Sequence, residues 1–217
     1  MIRTLLVLAI GSFLNVMPVS AEERPPQITW EWYRAAEIHR NNPKAHPSQL
    51  RVAANYHRMA AEKGNPASAY KFAEMLENGI GVTQDYEKAL TWYLRAAQHR
   101  DKHAYFRIGF LHQKGLGTPV NPAEAITWYQ RAAKLDNEWA YHMLALMYAD
   151  GEGVDRDTRK AVTYLEKSLP RTRDAYGQFR LGSLLEKQNP GRARKLLRQS
   201  AAAGNAEAAR MLAEKGW

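Results

Sequence analysis

The chain has 217 residues, 45% of them hydrophobic and 24% charged, a formal net charge of +9 and no cysteine. That length suits one elongated domain with a continuous core, and the missing Cys excludes disulfides, thiolate metal sites and a cysteine nucleophile. Between Pro170 and Trp217 there are 10 Lys/Arg against 4 Asp/Glu, so the basic character lies mainly at the C-terminal end; without aromatic-interleaved basic motifs it does not point to nucleic acid.

Residues 1–21 are predicted to be an export signal. Arg3 precedes an apolar stretch from Leu5 to Leu14, and Pro18-Val19-Ser20-Ala21 places small residues before a cut after Ala21. Leu5 to Val19 is 15 residues, short of the ~20 that a membrane span needs. The expected mature protein is soluble and periplasmic or secreted; the alternative is an uncleaved N-terminal anchor.

Residues 22–49 are expected to form an N-terminal cap. Gln27 to Arg40, with Trp30, Trp32 and Tyr33, reads as a degenerate first helix, and Asn41-Asn42-Pro43 with Pro47 breaks the chain after it.

From 50 to 205 one short unit recurs. Gly79, Gly115 and Gly151 stand 36 residues apart, as do Gly81, Gly117 and Gly153. Ala53, Ala89, Ala125 and Ala161 keep that step, and so do Tyr56, Trp92, Trp128 and Tyr164. Phe72, Ile108 and Leu144 head the apolar stripe of a first helix in each unit, and the Gly-x-Gly turn ends it because glycine adopts the left-handed backbone that closes a helix. A second helix starts at Asp85, Asn121 or Asp157, whose side-chain oxygen accepts from an unpaired backbone amide; Asn121 with Glu124 suggests a capping box. A fifth copy resumes at Leu181-Gly182 after a one-residue insertion and lacks the glycine loop, with Ala193, Leu196 and Ala201 in the second-helix slots. Residues 206–217 are expected to form a C-terminal capping helix.

Gly79-Ile80-Gly81-Val82 with Asp85-x-x-Lys88-Ala89-x-x-Trp92-Tyr93-x-x-Ala96-Ala97 resembles the Sel1-like repeat, a relative of the tetratricopeptide repeat. Ala140-x-x-x-Leu144-Ala145-x-x-Tyr148-x-x-Gly151-x-Gly153-Val154 is similar to it as well. The resemblance implies an all-α, right-handed superhelical solenoid of antiparallel helix pairs. It also implies a protein-binding scaffold, in bacteria often exported and tied to envelope assembly, secretion or host contact.

Enzyme signatures are missing. Gln84 and Val120 stand where a third glycine would complete a dinucleotide motif, and no Walker loop or Gly-x-Ser-x-Gly elbow occurs. His99 and His103 have helical i, i+4 spacing but straddle a repeat junction, and no acidic residue completes a zinc-protease motif. Asp150, Glu152, Asp155 and Asp157 surround one loop without the regular ligand ladder of a calcium site, and are assigned to capping and solubility. No catalytic residue, cofactor or metal is expected.

Binding remains. On a helical wheel, positions two before the stripe hold Tyr70, Phe106, His142 and Phe179, about 160 degrees from the core. Lys71, Arg107 and Arg180 flank them, and Phe110 and Leu146 lie nearby. These nine residues are the candidate partner-binding set, an aromatic ladder with flanking cations along the first helices. In the related tetratricopeptide architecture these helices line the concave groove. The ladder suits a protein partner, an extended peptide or a helix carrying apolar anchors and acidic groups. The opposing reading buries the rings between neighbouring first helices, as core. Trp92 and Trp128 are assigned to the core, and Met75, Met143 and Met147 to packing. Two other functions stay open: handling of an anionic envelope glycan, peptidoglycan or exopolysaccharide, by the basic C-terminal end, and periplasmic immunity against a delivered toxin.

Overall fold

A computed structural model describes residues 27–40 and 45–217. The expected signal segment and the Asn41-Asn42-Pro43 break lie outside the described residues. Among those residues there are eleven α-helices and no strand: α1 (Gln27–Arg40), α2 (Pro47–Glu62), α3 (Pro66–Asn78), α4 (Tyr86–Ala97), α5 (Lys102–Lys114), α6 (Pro122–Lys134), α7 (Glu138–Asp150), α8 (Thr158–Thr172), α9 (Ala175–Leu185), α10 (Pro190–Ala202) and α11 (Ala206–Glu214). Each odd-numbered first helix packs on the second helix that follows, and each pair stacks on the next, giving the predicted all-α solenoid. None of the described helices is long and apolar enough to cross a membrane.

Polar caps set the helix starts. Asp85, Asn121 and Asp157 accept from the amide three residues on at 2.9–3.1 Å, as expected. The Asn121–Glu124 pair makes only that half of a capping box. The Asn121 amide is already engaged, donating to His112 O at 2.8 Å across the helix pair, just as Asp85 donates to Leu76 O and Asp157 to Tyr148 O.

Gly79, Gly115 and Gly151 end α3, α5 and α7 in the left-handed conformation. The second glycine of each pair has a different task. A Cβ on Gly81 would lie 2.3 Å from Leu50 O at the start of α2, and one on Gly117 would lie 2.4 Å from Tyr86 C at the start of α4. Each loop therefore seats on the preceding second helix, and this contact fixes the register between units.

The core runs the length of the stack. Ala53, Ala89, Ala125, Ala161 and Ala193, one per second helix, are all 0% exposed, because a methyl group is what the close helix approach admits. Trp128 is buried, whereas Trp92, expected in the core, is half-buried with the Arg95 guanidinium 4.2 Å above its ring. Met75 and Met147 are buried and Met143 packs against the core from a half-buried position. The one-residue insertion before the fifth unit lengthens α8, which runs through Pro170 to Thr172. Without a glycine loop, α9 joins α10 by a short turn in which Asn189 N donates to Leu185 O at 2.7 Å.

Candidate interaction surface of the first helices

The nine predicted residues all lie on α3, α5, α7 and α9, where the 36-residue register places them at equivalent positions. Their surroundings differ from a free groove. The Tyr70 ring is 5.5 Å from the buried Tyr93 and 6.3 Å from His103 of the next first helix, and burial pushes its hydroxyl up to about 12. Phe106 sits 5.6 Å from the buried Tyr129. Phe179 meets Tyr176 at 6.1 Å. His142 is only 8% exposed, its Nδ1 3.6 Å from Asp174 at the start of α9, and burial lowers its basicity. Tyr70 and His142 therefore reach into the junctions between successive first helices, Phe106 packs on its own second helix and Phe179 on its own helix; Tyr70, Phe106, Phe110, Leu146 and Phe179 are half-buried and His142 is buried.

The flanking cations are already paired within the chain. Arg107 holds Glu77 through two nitrogens, its Nε at 3.0 Å, and stands 5.1 Å from the Phe110 ring. Arg180 donates to Asp150 at 2.5 Å and to the Tyr176 hydroxyl at 3.3 Å. Both ion pairs reach back 30 residues to the end of the preceding first helix. Lys71 pairs with Glu74 at 3.2 Å. The sequence reading leaves these charges to the acidic groups of a partner; in the structure Arg107 and Arg180 tie neighbouring units together, and Lys71 pairs within its own helix.

Two exposed rings escaped the wheel. Trp139 is 48% and Tyr176 40% exposed, and with His103 they share one slot in the first turn of α5, α7 and α9. Spacing of three residues puts them directly beside Phe106, His142 and Phe179 on the same helix face. The signal was present as a 36- or 37-residue recurrence of ring-bearing residues five positions before Ile108, Leu144 and Leu181. The accessible apolar surface is thus shifted one turn toward the first-helix N-termini.

A polar relay beneath this surface was also missed. Glu77 and Gln113, 5% and 8% exposed, fill equivalent slots and accept hydrogen bonds from the hydroxyls of Tyr93 and Tyr129 at 2.7 and 2.9 Å. Gln113 Nε2 then donates to Glu152 at 3.0 Å. One unit further both slots turn apolar together, to Ala149 and Leu165.

His99 lies in the turn after α4 and His103 on α5, so they do not share a helix. In the acidic loop Asp157 caps α8, Glu152 takes Gln113 and Asp150 takes Arg180.

The model of the Sel1 repeat family matches residues 46–65, 66–101, 102–137, 140–169 and 175–205. A search among curated proteins found no match. Among solved structures the chain is similar to a protective antigen of uropathogenic Escherichia coli displaying an SLR fold, at 28% identity and a TM-score of 0.78, covering 86% of this chain and 40% of that one. It thus spans less than half of that antigen's chain. A Sel1 repeat protein from Oxalobacter formigenes is 27% identical with a TM-score of 0.68, over 90% of this chain and 80% of that one. An immunity protein from Pseudomonas aeruginosa shares the fold at 21% identity and a TM-score of 0.50, over 90% of this chain and 71% of that one.

Proposed function

The chain belongs to the Sel1 repeat family, and from that premise we propose that it is a non-enzymatic scaffold, exported to the bacterial envelope, whose first helices bind a protein partner. The observation that carries this proposal is the pair of exposed rings Trp139 and Tyr176 in equivalent slots of α7 and α9, Tyr176 packing on the half-buried Phe179 at 6.1 Å. Aromatic side chains held rigidly on helices offer large apolar contact at little entropic cost, and such anchors dominate protein interfaces. Because Arg107 and Arg180 already hold carboxylates of this chain, recognition rests on the rings and on the apolar anchors of a peptide or helix more than on charge. Export rests on the charged start at Arg3, the apolar stretch from Leu5 and the small residues before Glu22.

A photo-crosslinking residue placed at Trp139, with a control at the exposed Thr127 of α6, tests this in the native envelope. One discrete protein adduct from position 139 and none from 127 is the expected result, on a chain whose N-terminus begins at Glu22. Equal labelling from both positions would remove the first-helix face as the binding surface. A chain retained in the cytoplasm would remove the envelope role.

A further inference from the structure

The exposed side of α10 departs from the pattern of every second helix before it. Ala161 of α8 and Ala193 of α10 fill the same slot, so Arg194 stands where Leu90, Ile126 and Val162 stand in earlier units. Those three pack against the core, Ile126 at 7% exposure. Arg194 is exposed, and with Gly191, Lys195, Arg198, Gln199 and Ala202 it lines a shallow furrow of about 430 Å³. No helix of the described residues covers this face.

Two features define what fits there. The lining residues run along one face of α10 from Gly191 to Ala202, roughly 16 Å at 1.5 Å rise per residue, with small residues at both ends that permit close approach. The charge is unmatched: Arg194 lies 5.4 Å from the Trp217 ring, while Lys195 and Arg198 have no carboxylate within ion-pair distance among the described residues. Other cations nearby are occupied, Arg192 by Glu166 at 2.6 Å and Lys215 by Glu186 at 2.6 Å.

The Glu166–Arg192 pair is also the template for the missing contact, since it joins α8 to α10 across a unit boundary. Arg198 occupies the slot of Glu166 on α10. A helix joined to α10 as α10 is joined to α8 through this pair would therefore meet a basic residue where Arg192 meets an acid, and charge complementarity calls for a carboxylate in the position of Arg192. A second copy of this chain does not supply it: its corresponding residue on α2 is Val52, with the exposed Arg51 beside it.

We propose that this face of α10 binds an acidic amphipathic helix of a partner protein, seated where a further second helix of the stack would lie. The surface is separate from the aromatic row on the first helices, so each stands or falls alone. The test titrates the purified full chain with three probes: a helical peptide with Glu on one face and Ala and Leu on the other, a polyglutamate coil of equal charge, and a sulfated polysaccharide. The helical peptide is expected to bind most tightly. Arg198→Glu should weaken it about tenfold or more with an unchanged melting curve, and a peptide bearing Lys at one of the facing Glu positions should restore binding to that variant. Arg210→Ala, on α11 and away from the furrow, should leave affinity unchanged. Equal or tighter binding of the coil or of the polysaccharide would overturn the proposal in favour of a general polyanion surface. No detectable binding of the acidic helix, or insensitivity to Arg198→Glu, would overturn it outright.

Discussion

The Tyr93 hydroxyl donates to the Glu77 carboxylate at 2.7 Å inside a repeat junction where Tyr93 is 0% and Glu77 5% exposed. Arg107 of the next unit closes on the same carboxylate, so one buried acid joins a first helix, its own second helix and the following unit.

Removing that acid leaves a buried hydroxyl and a part-buried cation without a partner. Glu77→Ala is expected to destabilise by ~3 kcal/mol, and Tyr93→Phe alone by ~1 kcal/mol. In the double variant the Tyr93→Phe change should cost little more, since its acceptor is already gone. Urea unfolding of the four proteins checks this; strict additivity would show that the two groups are not coupled. The Ala149/Leu165 pair shows that the same two slots also exist in apolar form.

The two glycines of one loop should respond unequally. Both Gly79 and Gly81 have left-handed backbones, so alanine costs each about 1 kcal/mol in strain. At Gly79 the new methyl meets nothing nearer than 3.5 Å, whereas at Gly81 it meets Leu50 O at 2.3 Å. Gly81→Ala is therefore expected to cost roughly 2 kcal/mol more than Gly79→Ala, by overpacking against backbone. Equal losses in denaturant midpoint would contradict the seating of the loop on α2.

Acid should loosen the N-terminal units through His57. This imidazole is 0% exposed, and burial lowers it from an ordinary 6.5 to about 4; Glu37, 3.3 Å away, pulls upward, while Arg40 and Lys71 push it further down. Between those two values the unfolded chain takes up a proton that the folded chain refuses. The contribution is thus complete above pH 6.5, shrinks as pH falls, and is gone below about 4, a change of ~3 kcal/mol. His112 and His142 are lowered by burial too and act in the same direction. Stability measured from pH 7.5 down to 4.5 should flatten in His57→Leu; an unchanged slope would exclude His57 as a source.

The stack and its turns were legible because periodicity reports whatever every unit shares. The slots of Ala89, Gly79 and Asp85 recur in sequence and recur in structure. The caps of the first helices, Asn65, Asp101, Asn137, Asp174 and Asn205, obey the same rule and were overlooked. Just before them stand Gly64 and Gly204 at the first and last of these turns and Arg100, Asp136 and Arg173 at the three between, all left-handed, so the glycine signal is diluted at this turn. Burial of the ladder was not legible. A helical wheel describes one helix, and Tyr70 is covered by Tyr93 and by His103 of the next unit, groups that only the stacking angle brings there. The pairing of Arg107 with Glu77 is hidden for the same reason, since the two stand 30 residues apart on different helices.

The most direct test of the scaffold role is the affinity of the partner captured through position 139 for the Trp139→Ala/Tyr176→Ala variant. Both rings are exposed, so the melting temperature should stay within a few degrees of the parent while affinity falls about tenfold or more. Unchanged affinity in a folded variant would contradict binding along the first helices.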